Sequence, residues 1–289
     1  MENAINPHAV NPVYRRRLLA HRIGMFLSIA AMAVGLGFLA WILYTLLLEG
    51  FHGLSMSLFT MDTPAPGSPG GLRNAIVGSL LLVGLSTAVS TPVGILAGIY
   101  LAEYGQNNKF AAVTRFVTDV MLSAPSIVIG LFVYALYVAK AGHFSGYAGT
   151  IALSLIAIPV VLRTTDNMLH LVPNALLEAA FALGAPRWKV SLMVRLRAVK
   201  AGVVTGVLLA VARVAGETAP LLFTSLNNQF FSLDMNQPMA NMPVVIYQYA
   251  MSSYEDWRNI AWGGALLVTF GVLLLNILSR TVFRQKNPQ

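Results

Sequence analysis

The sequence of 289 residues has no cysteine, and only 10% of its residues are charged. Without cysteine there is no disulfide framework and no thiolate metal site. A soluble domain carries about 25% charged residues, so the charge content argues against an ordinary water-soluble enzyme. Disorder is excluded as well, because it needs low hydrophobicity and high charge; here 56% of residues are hydrophobic and the mean hydropathy is +0.68. Acidic residues are the scarcer sign, 11 against 19 Lys and Arg, which gives a net charge of +8. In so apolar a chain this excess belongs to loops beside anionic lipid rather than to a nucleic-acid surface. No Gly-x4-Gly-Lys-Ser/Thr phosphate loop and no His-Glu-x-x-His pair occur, so no ATP hydrolysis, metal or cofactor is expected in this chain itself. Gly35-Leu36-Gly37-Phe38-Leu39-Ala40 fits a loose dinucleotide fingerprint, but it lies inside an apolar run with no preceding strand.

Long uncharged stretches dominate what is present. Residues 23–48, 74–102, 120–139, 141–162 and 259–279 form uncharged runs of 26, 29, 20, 22 and 21 residues. About 20 apolar residues cross a bilayer as a helix. A sixth stretch, 201–226, contains Arg213 and Glu217. The reading is an all-α integral membrane protein with six spans, near 23–48, 74–102, 116–139, 145–166, 201–226 and 259–279. Together these make one membrane domain, 23–283, flanked by poorly ordered tails at 1–22 and 284–289. The first run outlasts the 7–15 residues of a signal-peptide core; Ala31-Met32-Ala33 looks like a cleavage site, yet 15 more uncharged residues follow. With six spans and an internal amino terminus, 14 Lys and Arg fall inside and 3 outside, Arg163 and Arg213 being left at membrane depth. That bias predicts both termini in the cytoplasm.

Charges at membrane depth are the informative residues. Insertion scales set about 2.5–3.5 kcal/mol against an Arg or Asp at a helix centre, and −0.3 to −0.6 for each Leu, Ile, Val or Phe. One Arg and one Glu therefore offset most of the ten such apolar residues between 203 and 223. Arg213 and Glu217 are spaced i,i+4 and fall on one helical face; Arg163 and Asp166 are spaced i,i+3, and Asp119 lies near the inner end of the third span. Two readings stand: internal ion pairs that fix helix register, or a polar path through the bundle. A guanidinium fork matches phosphate and carboxylate geometry, so an arginine-lined path suits an oxyanion. Gly94/Gly98 and Gly202/Gly206 are small-xxx-small pairs suited to close helix packing. Pro92, Pro125 and Pro159 fall inside spans, where each frees a carbonyl and favours a kink.

The largest inner loop, 170–200, reads Glu178-Ala179-Ala180-Phe181-Ala182-Leu183-Gly184-Ala185-Pro186-Arg187-Trp188-Lys189. Gly184 suits a left-handed cap and Pro186 the first turn of a new helix. The segment reads either as a helix–turn–helix elbow outside the membrane or as an amphipathic helix lying on lipid.

At this elbow the sequence resembles the permease subunits of binding-protein-dependent ABC importers, whose signature is Glu-Ala-Ala, three residues, Gly, nine residues, Ile-x-Leu-Pro. Glu178-Ala179-Ala180, Gly184, Val194 and Leu196 fit it, while Arg197 replaces the final proline. Leu122 to Val133, Arg163-Thr164-Thr165-Asp166-Asn167-Met168, Gly216 to Phe223 and Gln237 to Pro243 resemble the phosphate permeases of that class. The resemblance implies a type I-like permease fold forming half of a translocation pathway in the bacterial inner membrane. It implies an assembly with a second permease (PstC-like), two ATPase subunits (PstB-like) that hold ATP and Mg, and an extracytoplasmic phosphate-binding protein (PstS-like). It assigns ATPase coupling to Glu178, Ala179, Ala180 and Gly184, and phosphate passage to Arg163, Arg213 and Glu217. The alternatives are an importer of sulfate, molybdate or phosphonate, an ion-coupled carrier, which calls for inverted repeats and interrupted helices that the sequence does not display, and a membrane scaffold without transport.

Overall fold

The computed structural model describes residues 12–105 and 108–282. The chain divides into two compact units, Met1–Glu49 and Gly50–Gln289. The first is the amino-terminal part of α1, Pro12–Gly53, an unbroken helix of 42 residues. Its residues 12–22 are helical, where the sequence reading expects a poorly ordered tail; residues 1–11 and the predicted tail 284–289 lie outside the described residues. Helix continues through 12–22 because Arg and Leu are good helix formers and no breaker follows Pro12.

The second unit is helical throughout, with no strand among the described residues. After a short α2, Ser57–Thr60, come α3, Arg73–Tyr104, and α4, Lys109–Ser123. Then follow α5, Ser126–Ala141, and α6, Gly146–His170. The elbow is α7, Asn174–Ala182, and α8, Arg187–Ala198. The chain ends in α9, Lys200–Ala215, α10, Ala219–Leu222, α11, Met242–Ala250, and α12, Glu255–Val282. Four helices (α1, α3, α6 and α12) are long and apolar enough to cross a membrane; six spans result if α4 with α5 and α8 with α9 each count as one.

Those two pairs overlap the spans predicted at 116–139 and 201–226, and each is bent far more than a proline kink. α4 and α5 meet at 106°, and α8 and α9 at 74°. Ala124 and Pro125 are extended, with ψ 136 and 133, because a residue before proline is driven out of the helical region. The fifth predicted span stops at Ala215, where Gly216 loosens the chain and Pro220 forbids continuation. Pro92 and Pro159, by contrast, sit inside unbroken helices.

α6 is the buried axis of the second unit. Leu153, Ile156, Val160 and Val161 on it join Leu82 of α3, Ala210 and Val214 of α9, Leu221, and Val244 in one apolar cluster. α3 approaches α6 through Gly94 and Gly98; a Cβ at Gly94 would lie 2.7 Å from Val161 Cβ, and one at Gly98 2.7 Å from Thr165 Cβ. α9 approaches the same helix through Gly202 against Met168 and Gly206 against Thr164. Small residues let backbones come together where lipid supplies no hydrophobic drive between helices.

A second cluster gathers Leu58, Leu72, Ala75, Val245, Tyr249 and Ala261 under the long loop 223–241. Buried Asn241 caps α11 by accepting from Val244 N at 3.1 Å, and donates to Ser225 Oγ at 3.2 Å and Leu226 O at 3.3 Å. Leu226 takes φ 56, and its N–H donates to Leu221 O at 2.8 Å.

Candidate functional site

The break that ends α9 lies against the helix that follows the bend at Ala124–Pro125. α5 packs on α10 where Gly130 sits against Pro220; a Cβ at Gly130 would lie 2.6 Å from Pro220 Cα. One interrupted span thus leans on another, each leaving main-chain groups outside a regular helix. Ser123 Oγ donates to Val120 O at 2.9 Å, and Gly216 N–H to Arg213 O at 3.2 Å, which satisfies part of that need.

Both membrane-depth arginines are paired and both stay open. Arg163 Nη1 stands 3.5 Å from Asp119 Oδ1, with side chains 41% and 55% exposed. Arg213 Nε stands 3.6 Å from Glu217 Oε1, with Arg213 42% exposed. The second pair forms by a different route from the one its i,i+4 spacing implies: Glu217 lies past the last turn of α9 and reaches back to Arg213 from the turn. No hydrogen bond or ion pair links Arg163 to Arg213 or Glu217 among the described residues.

Arg163 and Asp166 do not pair with each other. Asp166 is buried; its Oδ2 accepts from Arg115 Nε at 3.3 Å, while His170 Nδ1, 3.3 Å from Oδ1, hydrogen-bonds to the Asp166 main-chain O at 2.7 Å. The reason is the crossing of α4 over α6. Arg115 and Asp119 are one turn apart on α4, Asp166 and Arg163 one turn apart on α6, so opposite charges meet at two rungs.

Beyond α6, helix α7 has no buried residue. Glu178 and Ala179 are exposed, and Ala180 is half-buried. Gly184 has φ +79; its N–H donates to Phe181 O at 2.9 Å and that of Ala185 to Ala180 O at 3.3 Å, a Schellman closure that requires the left-handed residue. Pro186 then opens α8. Leu183 and Trp188 stand 88% and 57% exposed beside a recess of about 500 Å³ lined by Glu103, Phe181, Ala185, Pro186 and Arg187. Four polar residues that sequence reasoning did not single out emerge as structural: Glu103, Arg115, Arg195 and Asn241. Only the i,i+4 spacing of Arg115 with Asp119 hinted at any of them.

Interrupted spans, a Gly-closed elbow and charges left open along the spans are the features of a membrane transport permease. The sequence profile of the binding-protein-dependent transport system inner membrane component family matches residues 94–288. The chain is similar to the phosphate transport system permease protein PstA of Haemophilus influenzae, 58% identical over 92% of this chain and 94% of that protein. It is also similar to PstA of Pasteurella multocida, 57% identical over 96% of this chain and 99% of that one. The chain of an inward-facing MetNI methionine ABC transporter shares the fold, with a TM-score of 0.58 and 19% identity over 74% of this chain and 93% of that one. The chain belongs to the PstA family of binding-protein-dependent inner membrane permeases. It is a transport component of the inner membrane with an all-helical, type I-like permease fold.

Proposed function

We propose that this subunit forms half of the translocation path of an ATP-driven phosphate importer. The observation that carries the reading is the pair of guanidinium groups at membrane depth, each about two-fifths exposed on the surface of this chain. A charged side chain does not face lipid at that depth, and irregular backbone at membrane depth has to be buried in protein or line a water-filled cavity. The open face of Arg163, Arg213 and the two bends is therefore roofed by a second permease (PstC-like), and the path runs between the subunits.

Arg163 and Arg213 lower the barrier for an oxyanion in a low-dielectric passage. Asp119 and Glu217 occupy the arginines when no anion is there, and Glu217 keeps phosphate from being held too tightly, since transport needs release as well as capture. The elbow residues Glu178, Ala179, Ala180 and Gly184 dock on the ATPase. Small side chains allow close approach, and Gly184 fixes the turn that presents Glu178. Two PstB-like ATPase subunits supply ATP and Mg, a PstS-like protein delivers phosphate, and both termini lie in the cytoplasm, as the 14:3 distribution of Lys and Arg favours. Membership in a binding-protein-dependent family speaks against the ion-coupled carrier, although the interrupted helices that such a carrier calls for are present.

Arg213→Ala tests the path in a complex that still assembles and hydrolyses ATP. A hydrogen bond to a charged group contributes about 1.5–3 kcal/mol, so phosphate uptake falls roughly ten- to a hundredfold. Uptake at the unmodified rate removes Arg213 from the mechanism.

A further inference from the structure

The inner ends of the spans hold a joint that the pathway residues do not use. The last carbonyls of a helix have no donor within it. α3 ends at Tyr104 and α6 at His170, and one side chain of α8 serves both. Arg195 donates from Nε to Leu169 O at 3.1 Å and from Nη1 to Ala102 O at 3.3 Å. The same Nη1 lies 3.3 Å from Glu103 Oε2, with Arg195 12% and Glu103 19% exposed. Ser191, one turn before Arg195, donates to Glu103 Oε2 at 2.9 Å. From the other side Arg115 donates to Leu101 O at 3.1 Å and Gly105 O at 3.3 Å while pairing with Asp166. The inner ends of α3, α4 and α6 and the helix leaving the elbow are thus clipped together by two guanidinium groups. The chain bends just beyond the clip, at Val199 and at Ala124–Pro125.

We infer that Arg195, with Glu103 and Ser191, is the rigid joint through which displacement of the elbow is delivered to α3 and to α6 with its Arg163, the bends at Val199 and Ala124–Pro125 taking up the angular change. Arg195 touches neither anion nor nucleotide and is a positioning residue. A planar fork reaches two carbonyls and a carboxylate at once, which a lysine ammonium at the end of a flexible stem does not. The inference rests on the proposed docking of an ATPase at the elbow.

Because the chain has no cysteine, Ser191→Cys with Glu103→Cys places the only two thiols of this subunit at the joint. The test uses the full complex in liposomes, with phosphate accumulated and ATP hydrolysed measured together. With the thiols reduced, ATP hydrolysis continues and phosphate moved per ATP falls roughly tenfold, within the 5- to 150-fold span of typical coupling. Bridging the two thiols with a short bis-methanethiosulfonate reagent, which spans the length that the Glu103 side chain filled, restores the ratio. Arg195→Ala uncouples likewise, and Arg195→Lys recovers part of the ratio. The inference is overturned by an unbridged pair that keeps the unmodified ratio, since the joint then transmits nothing. It is equally overturned by a bridged pair that hydrolyses ATP without transport, since the joint must then open. If Arg195→Ala fails to assemble, the cysteine pair decides, its bridge holding the segment in place. An unmodified complex that moves no phosphate with ATP would sink the proposed function instead.

Discussion

Gly94 and Gly98 set how closely α3 and α6 approach, and the contact can be worked through to a magnitude. An added Cβ at Gly94 meets Val161 Cβ at 2.7 Å, Val161 Cγ1 at 2.8 Å and Ile158 O at 3.2 Å. At Gly98 it meets Thr165 Cβ at 2.7 Å, Thr165 Cγ2 at 2.9 Å and Leu162 O at 3.0 Å. Carbon atoms settle at about 3.5–4.0 Å, so each methyl intrudes by roughly 1 Å. Neither neighbour can swing away, because Val161 and Thr165 are 1% and 0% exposed and both are branched at Cβ. Overpacking of this kind costs about 1–3 kcal/mol. Alanine also gains about 1 kcal/mol of helix propensity over glycine, which obscures the effect in a single variant. Gly84 on the same helix removes that ambiguity, since nothing lies within 4 Å of its added Cβ. The difference between Gly98→Ala and Gly84→Ala therefore isolates the clash, at about 1–3 kcal/mol. The double variant Gly94→Ala/Gly98→Ala costs less than the sum, because one separation of the helices relieves both sites. Thermal unfolding of the purified protein in detergent, followed by tryptophan fluorescence, measures it. At about 2–4 °C per kcal/mol Gly98→Ala melts about 2–12 °C below Gly84→Ala. Equal midpoints for the two would refute the reasoning that glycine is there for backbone approach.

Gly184→Val forces a β-branched residue to φ +79, at about 1–2 kcal/mol of backbone strain. Spans stay inserted while ATPase pull-down and stimulated hydrolysis both decline, and normal values for both would make the elbow a lipid-facing helix. Asn241→Ala removes the α11 cap and leaves Ser225 and Leu226 short of a donor, a loss of about 2–4 kcal/mol. It lowers the melting midpoint, and faster proteolysis within 223–241 is the independent check.

The spans were legible where one cause acts alone. Uncharged runs at 74–102, 141–162 and 259–279 reappear as α3, α6 and α12, because length and apolarity suffice to define them. The helix pairs Gly94/Gly98 and Gly202/Gly206 were readable for the same reason: a helix repeats every 3.6 residues, and small residues at that spacing have one use. The bends were only half legible. Pro125 announced a kink but not its 106°, which depends on α5 finding Pro220 to lean on. Gly216 and Pro220 gave sufficient warning that α9 would stop, a warning that the apolar pattern through Leu222 and Phe223 concealed. The ion-pair partner of Asp166 on α4 was out of reach from spacing, since Arg115 stands 51 positions away and arrives only because α4 crosses α6. Arg195 was hidden for a similar reason. It fills the unspecified place between Val194 and Leu196, and its function exists only where two other helices end.

The first helix is longer than any bilayer requires. Its 42 residues extend about 63 Å, against a hydrocarbon thickness of about 30 Å. The apolar stretch begins at Ile23, so residues 12–22, carrying Arg15, Arg16, Arg17 and Arg22, stand clear of the acyl chains as a rod of about 16 Å. Four guanidinium groups on that rod are held by acidic headgroups at about 1 kcal/mol each. Its contact with the membrane surface therefore follows lipid composition, and a bilayer purely of zwitterionic lipid would hold the rod only through the span that continues it.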